Sequence, residues 1–240
     1  MSTQPLLILD HISKSFTLHL QGGVEICAVS DVSFAVAPGE CVVLGGRSGA
    51  GKSSILKMIY GSYRCDSGSI LVRDGRPDDH EMVDVATASP RRMLALRRST
   101  LGYVSQFLRV IPRVPALEIV AESARESGLA PEQALARAEE LLTLLNVPQR
   151  LWSLPPATFS GGEQQRVNVA RGMAAERPLL LLDEPTASLD AANRAVVVEL
   201  IGERKRRGMA VVGIFHDEDV RDRVADRVID IEHHEGTRAA

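Results

Sequence analysis

The eight residues Gly46-Arg47-Ser48-Gly49-Ala50-Gly51-Lys52-Ser53 constrain this chain more than any others. They follow an apolar run at 41–44 and lead into 53–60, where apolar side chains recur at helical spacing. A strand that feeds a helix through a loop of the form G-x-x-x-x-G-K-S is a phosphate-binding loop, and this context separates it from a chance glycine-rich turn. Glycine lets successive N–H groups turn inward around phosphate oxygens, and the helix N-terminus adds positive potential. The backbone from Gly46 to Ser54 is therefore expected to hold the phosphates of ATP. Lys52 should reach the β- and γ-phosphates, and Ser53 should ligate Mg²⁺.

A second apolar run, 179–182, is bounded by Pro178 and by Asp183-Glu184-Pro185. A continuous run of this kind suits a strand covered on both faces of a parallel sheet. Ligands bind such sheets at the carboxyl ends of their strands, where the two acids fall. Asp183 is expected beside Mg²⁺, directly or through water, and Glu184 is placed to polarise an attacking water as general base.

Strands are expected at 6–12, 25–36, 41–44, 69–72, 101–105, 179–182 and 209–215, with helices at 53–60, 91–98, 115–126, 131–145 and 192–207. Pro115 and Pro131 suit first helical turns, and Gly208 closes the last helix. The alternation indicates an α/β core. No strand interrupts 115–174, so about 112–175 is expected to form a helical lobe inserted into that core, within one domain spanning 1–240.

These features resemble the ATP-binding cassette (ABC) ATPases, and the resemblance covers nearly the whole chain. Thr158-Phe-Ser160-Gly161-Gly162-Glu-Gln164-Gln-Arg166 is similar to the family signature, and Ser188-Leu-Asp190 to its D-loop. Gln106, in Tyr103-Val-Ser-Gln106, resembles the Q-loop glutamine, and His216 the switch histidine. The resemblance implies a RecA-like core, an antiparallel β subdomain and a helical signature lobe. It implies catalytic roles for Glu184, His216 and Gln106, with Ser53, Gln106 and Asp183 around the metal. Phe16 falls where the family stacks an aromatic on adenine, although an aromatic near a strand end equally suits a core. Ser160 reads by itself as a helix cap. In the family, Ser160, Gly161, Gly162, Gln164 and Asp190 complete the nucleotide site of an opposing subunit, so a second cassette, a copy or a paralogue, is implied.

The net charge is −3, from 28 basic and 31 acidic residues, which gives no footprint for nucleic acid. Cys27, Cys41 and Cys65 are widely separated and form neither a disulfide framework nor a zinc pattern. No stretch approaches the ~18 apolar residues of a membrane helix, and the first residues lack the pattern of a signal peptide. A cytoplasmic chain is therefore expected. Segments 16–19, 83–88, 107–113, 144–152 and 213–218 are similar to the cassette of the carbon–phosphorus lyase system, which implies the lyase core complex of phosphonate breakdown as partner. The alternative is the ATPase of an exporter resembling lipoprotein-release or macrolide-efflux systems. Transporter cassettes meet their membrane partners around 106–114.

Overall fold

Strands that are apolar at every position can be satisfied only by cover on both faces, and this governs the architecture. A computed structural model describes residues 4–18, 23–75, 81–108, 112–232 and 237–238. In it, β3 (Cys41–Gly45), β6 (Leu101–Val104), β7 (Leu179–Asp183), β8 (Ala210–Ile214) and β9 (Arg227–Asp230) form a parallel sheet in the order β6-β7-β8-β3-β9. Side chains alternate between its two cores. Cys41, Val43, Leu180, Leu182 and Val211 enter one, while Val42, Leu44, Leu179, Leu181 and Val212 enter the other.

The second core is closed by α1 (Lys52–Ile59) and by an antiparallel sheet. That sheet comprises β1 (Leu7–Leu18), β2 (Val24–Val36), β4 (Ser67–Arg73), β5 (Met82–Asp84) and β10 (Thr237–Arg238), in the order β10-β2-β1-β4-β5. Helix α2 (Pro90–Ser99) adds Met93 and Leu96 to the same core. The first core is covered by α3 (Ala116–Glu126), α4 (Pro131–Leu144), α5 (Gly161–Ala174), α6 (Ala191–Arg206) and α7 (Glu218–Val224). The RecA-like core, antiparallel subdomain and helical layer expected from sequence are all present.

Several elements differ from the sequence expectation. Strand β1 runs on to Leu18 rather than ending at residue 12, with register irregularities between Leu9 and Ser15. Those irregularities break the period-two pattern by which a strand is read. Strand β5 lies inside the polar stretch 76–98, where no strand was expected; three residues are too few for a periodic signal. Helix α7 and the edge strand β9 were likewise unpredicted, and β9 is largely exposed. Residues 78–80, 109–111 and the pair His233-His234 lie outside the described residues, as does His19.

Cys41 shows what burial does to chemistry. Its side chain is fully covered, and desolvation pushes its thiol up to about 12. Thiolates are the reactive form. Native protein treated with a maleimide at pH 8 should therefore leave Cys41 unlabelled, with labelling appearing on denaturation. Mass spectrometry of the adducts checks this, and a labelled Cys41 in folded protein would contradict it.

Candidate active site

The phosphate-binding loop leaves β3 at Gly45 and enters α1 at Lys52. Gly46, Gly49 and Gly51 all have positive φ, at 106°, 82° and 83°. At Gly51 the requirement is steric as well, because an added Cβ would stand 1.9 Å from the Ala28 carbonyl oxygen on β2. The loop is thus pressed against the antiparallel sheet. Ala50 is buried in the core below, whereas Arg47 and Ser48 are exposed.

Lys52 is buried, and its Nζ donates to the carbonyl oxygens of Gly46 (2.8 Å) and Arg47 (2.7 Å). Burial pulls its pKa down, and the nearby Glu184 carboxylate acts in the opposite sense. An ammonium held in this way against the loop carbonyls is a cation poised at the cleft, suited to phosphate oxygens.

Strand β7 delivers the two carboxylates. Asp183 is buried, accepting from Ser53 Oγ at 2.9 Å on Oδ1 and from the Tyr103 hydroxyl at 3.0 Å on Oδ2. Glu184 has a left-handed φ of 53°, an uncommon state for a residue with a Cβ. Its N–H donates to Ile214 O at 3.1 Å, and Gln165 Nε2 donates to the carbonyls of Glu184 (3.3 Å) and Pro185 (2.9 Å). The surroundings hold the strained residue in place. Its carboxylate is bridged on both sides, by Gln106 Nε2 donating to Oε2 at 3.1 Å and by His216 Nε2 lying 2.7 Å from Oε1.

A cleft of about 320 Å³ is lined by loop residues Ser48, Gly49 and Gly51 to Ser54, with Phe16, Ala28, Glu184, Ile214 and His216 around them. Phe16 is on β1, in edge contact with Tyr63 at 5.3 Å between ring centroids. It packs against a neighbour and also borders the cleft. Ser53, the Asp183 carboxylate and the Gln106 amide are hard oxygen donors of the kind Mg²⁺ takes, with phosphate and water completing its shell. Among the described residues no cluster of three His, Cys, Asp or Glu could hold a metal on its own.

Eight of the residues expected to bind nucleotide do not line this cleft: Gly46, Arg47 and Ala50 of the loop itself, and Ser160, Gly161, Gly162, Gln164 and Asp190. The expected metal residues Gln106 and Asp183 line a neighbouring groove instead. Ser160 caps α5, and its Oγ and the Glu163 backbone N–H form one half of a capping box. The Glu163 carboxylate accepts from Ser160 N at 2.9 Å and Oγ at 2.7 Å, which holds it below the usual carboxylate range. Gly161 and Gly162 open α5, where an added Cβ at Gly162 would lie 2.9 Å from Ser188 O. Gln164 turns back to Phe159 O at 3.0 Å, and Asp190 caps α6 by accepting from Asn193 N at 2.8 Å. The N-terminal end of α5 thus lies outside the lining of the chain's own cleft.

Sequence reasoning missed Tyr103, Gln165 and Asn168. Asn168 is buried on α5 and donates to Ser105 O at 2.6 Å, next to Gln106. Polar residues on an otherwise apolar helix stripe were the available signal. A second, larger groove of about 1110 Å³ opens beside Gln106, between α2, α3 and α5. Phe107 and Leu94 on its walls are 74% and 55% exposed.

A phosphate-binding loop joined to a bridged glutamate on a RecA-like sheet, with a separate helical signature layer, defines a nucleotide-hydrolysing cassette. A model of the ABC transporter family matches residues 29–187, and the chain belongs to that family. It is 36% identical over 231 residues to the macrolide export ATP-binding/permease protein MacB of Marinobacter nauticus, covering 96% of this chain and 34% of that protein. The chain therefore spans about a third of the length of its MacB relatives. The lipoprotein-releasing system ATP-binding protein LolD of Idiomarina loihiensis is 33% identical, with 90% of each chain covered. The ADP- and phosphate-bound dimer of the ATP-binding cassette MJ0796 superposes with a TM-score of 0.82, at 26% identity and 97% coverage of both chains.

Proposed function

We propose that this chain hydrolyses Mg-ATP as one half of a two-cassette engine that drives a membrane exporter of the macrolide-efflux or lipoprotein-release kind. The observation that carries the ATPase reading is the Glu184 carboxylate, bridged by Gln106 and His216 at the edge of the phosphate-loop cleft. We read residues 1–240 as a single cassette, with the helical lobe at about 112–175.

In this reading Lys52 and the loop N–H groups hold the β- and γ-phosphates of ATP, and Phe16 stacks on the adenine. Ser53, Asp183 and Gln106 would hold Mg²⁺, which when bound neutralises phosphate charge. Glu184 accepts a proton from the attacking water, whose oxygen bonds to the γ-phosphorus as the bond to the β–γ bridging oxygen breaks. ADP and phosphate are the products. His216 orients Glu184 through its 2.7 Å contact and, as part of the cleft lining, would be available to a γ-phosphate bound there. Ser160, Gly161, Gly162, Gln164 and Asp190 serve the ATP of the opposing cassette, in keeping with their position outside the cleft. The dimeric MJ0796 cassettes support pairing.

The exporter assignment rests on the names of the relatives and on the groove. Exposed Phe107 and Leu94 offer apolar anchors, while Arg97, Arg171, Glu118 and Glu122 supply both charges along the walls. Gln106 lines the same groove, so an occupant there can shift a residue bonded to Glu184. No helix among the described residues is long and apolar enough to cross a membrane, so the spanning part would come from elsewhere. We place the cassette on the cytoplasmic side, where ATP is available.

The names of the relatives given above do not refer to phosphonate chemistry. The carbon–phosphorus lyase reading keeps one support, the similar segments from Phe16 to Glu218, part of which falls at 109–111 outside the described residues. A photo-crosslinker at position 107, used in the source cell under phosphate starvation, separates the two partners. Crosslinks to a membrane permease are expected. Crosslinks to soluble lyase subunits without a permease would overturn the exporter assignment and install the phosphonate one.

A further inference from the structure

Tyr103 stands on β6 in register with Leu181 of β7, so its side chain reaches the carboxyl end of the neighbouring strand. Its hydroxyl donates to Asp183 Oδ2 at 3.0 Å, and Ser53 Oγ donates to Oδ1 at 2.9 Å. The carboxylate is therefore held at both oxygens by hydroxyls from two different elements. The phenol ring is itself fixed: it stacks on Tyr60 with centroids 5.0 Å apart and planes at 28°. The Arg97 guanidinium lies 4.4 Å from the Tyr60 ring centroid, and its Nε donates to Tyr60 O at 3.1 Å. Stacking of this kind gives the hydroxyl a defined position rather than a rotating one.

Ser53 can give a lone pair to a metal while its proton stays on Asp183 Oδ1, but that single hydrogen bond fixes only one of the two carboxylate oxygens. Without a second restraint on Oδ2 the carboxylate can pivot about Oδ1 and change the lone pair it offers to the metal. We infer that Tyr103 is a positioning residue for the metal ion: its hydroxyl anchors Oδ2 of Asp183, so that Oδ1 stays turned toward the phosphate loop. Outer partners of this type commonly carry 10–100-fold of metal affinity. The inference rests on the reading of Asp183 as the metal-side carboxylate.

The test uses full-length protein carrying Tyr103→Phe, which retains the ring stack and removes only the hydroxyl. Mn²⁺ binding is followed by the electron paramagnetic resonance of free Mn²⁺ at saturating non-hydrolysable ATP analogue, alongside analogue affinity in EDTA and a thermal melt. Expected is a loss of about 10-fold or more in Mn²⁺ affinity, with the EDTA affinity and melting midpoint unchanged. The Mg²⁺ concentration for half-maximal ATPase should rise in step. Unchanged Mn²⁺ affinity overturns the inference. So does a matching fall in EDTA affinity and melting midpoint, which would make the hydroxyl merely structural. Asp183→Asn, measured in parallel, separates the two failures. If it keeps wild-type Mn²⁺ affinity, the reading of Asp183 itself falls; if it loses Mn²⁺ while Tyr103→Phe does not, only the role of Tyr103 falls.

Discussion

Replacing Glu184 with Gln is expected to slow ATP turnover by about 10²–10⁴-fold, the usual contribution of a positioned general base, while ATP binding persists. The amide keeps the size of the side chain and its place between Gln106 and His216, but it cannot take a proton from water at neutral pH. Residue 184 keeps its backbone restraints as well, because the bonds from Glu184 N to Ile214 O and from Gln165 to Glu184 O do not involve the side chain. The loss should therefore fall on the chemical step and not on folding. If the signature residues serve a neighbour, the unhydrolysed nucleotide will hold two chains together. Size-exclusion chromatography should then show a dimer with ATP that disappears without nucleotide. Wild-type turnover in this variant would remove Glu184 as the base, and slow turnover without a dimer would remove the pairing instead.

Gly51→Ala is expected to abolish ATP binding and to destabilise the fold, and Gly49→Ala provides its internal comparison. Both residues have φ near 80°. A Cβ at Gly49 would meet nothing within 4 Å, whereas at Gly51 it would meet Ala28 O at 1.9 Å and Val29 Cγ2 at 2.9 Å. Alanine at 49 thus incurs only the left-handed backbone cost, about 1–2 kcal/mol. Alanine at 51 adds a collision with main chain that no rotamer relieves, so either the loop or β2 must move. A displaced loop loses the convergence of N–H groups on which phosphate binding depends. Thermal melts and fluorescent-nucleotide titration should rank wild type above Gly49→Ala, with Gly51→Ala far below. Equal behaviour of the two variants would show that backbone conformation alone, and not the approach of Ala28, dictates glycine at 51.

Local rules made the centre of the molecule readable in advance. The phosphate loop and the acids after β7 follow from covalent geometry and from burial on both faces of a strand, and both leave continuous patterns. Gln106 and His216 could be placed only by resemblance, because a single polar residue has no period. The structure brings both to Glu184 from separate strand ends. Tyr103 escaped notice for a related reason: its hydroxyl acquires meaning only when Asp183 arrives from 80 residues away. Strand β5 and the far half of β1 were missed because bulges and brevity erase alternation. The exporter and phosphonate readings diverged at the groove, where exposed side chains answer to a partner and not to this chain's own packing.

Gln165 and Asn168 fasten helix α5 to Pro185 O and Ser105 O, one beside Glu184 and the other beside Gln106. A helix so fastened cannot shift at its N-terminus without straining the residues around its own chain's nucleotide. In a pair of cassettes, the ATP that α5 meets across the interface would therefore feel whether the site behind α5 is filled. Linkage makes the influence mutual, since each site must return the free energy it receives. Two nucleotides bound in this way would titrate with coupled affinities, and cutting either fastening should move the Hill coefficient toward one.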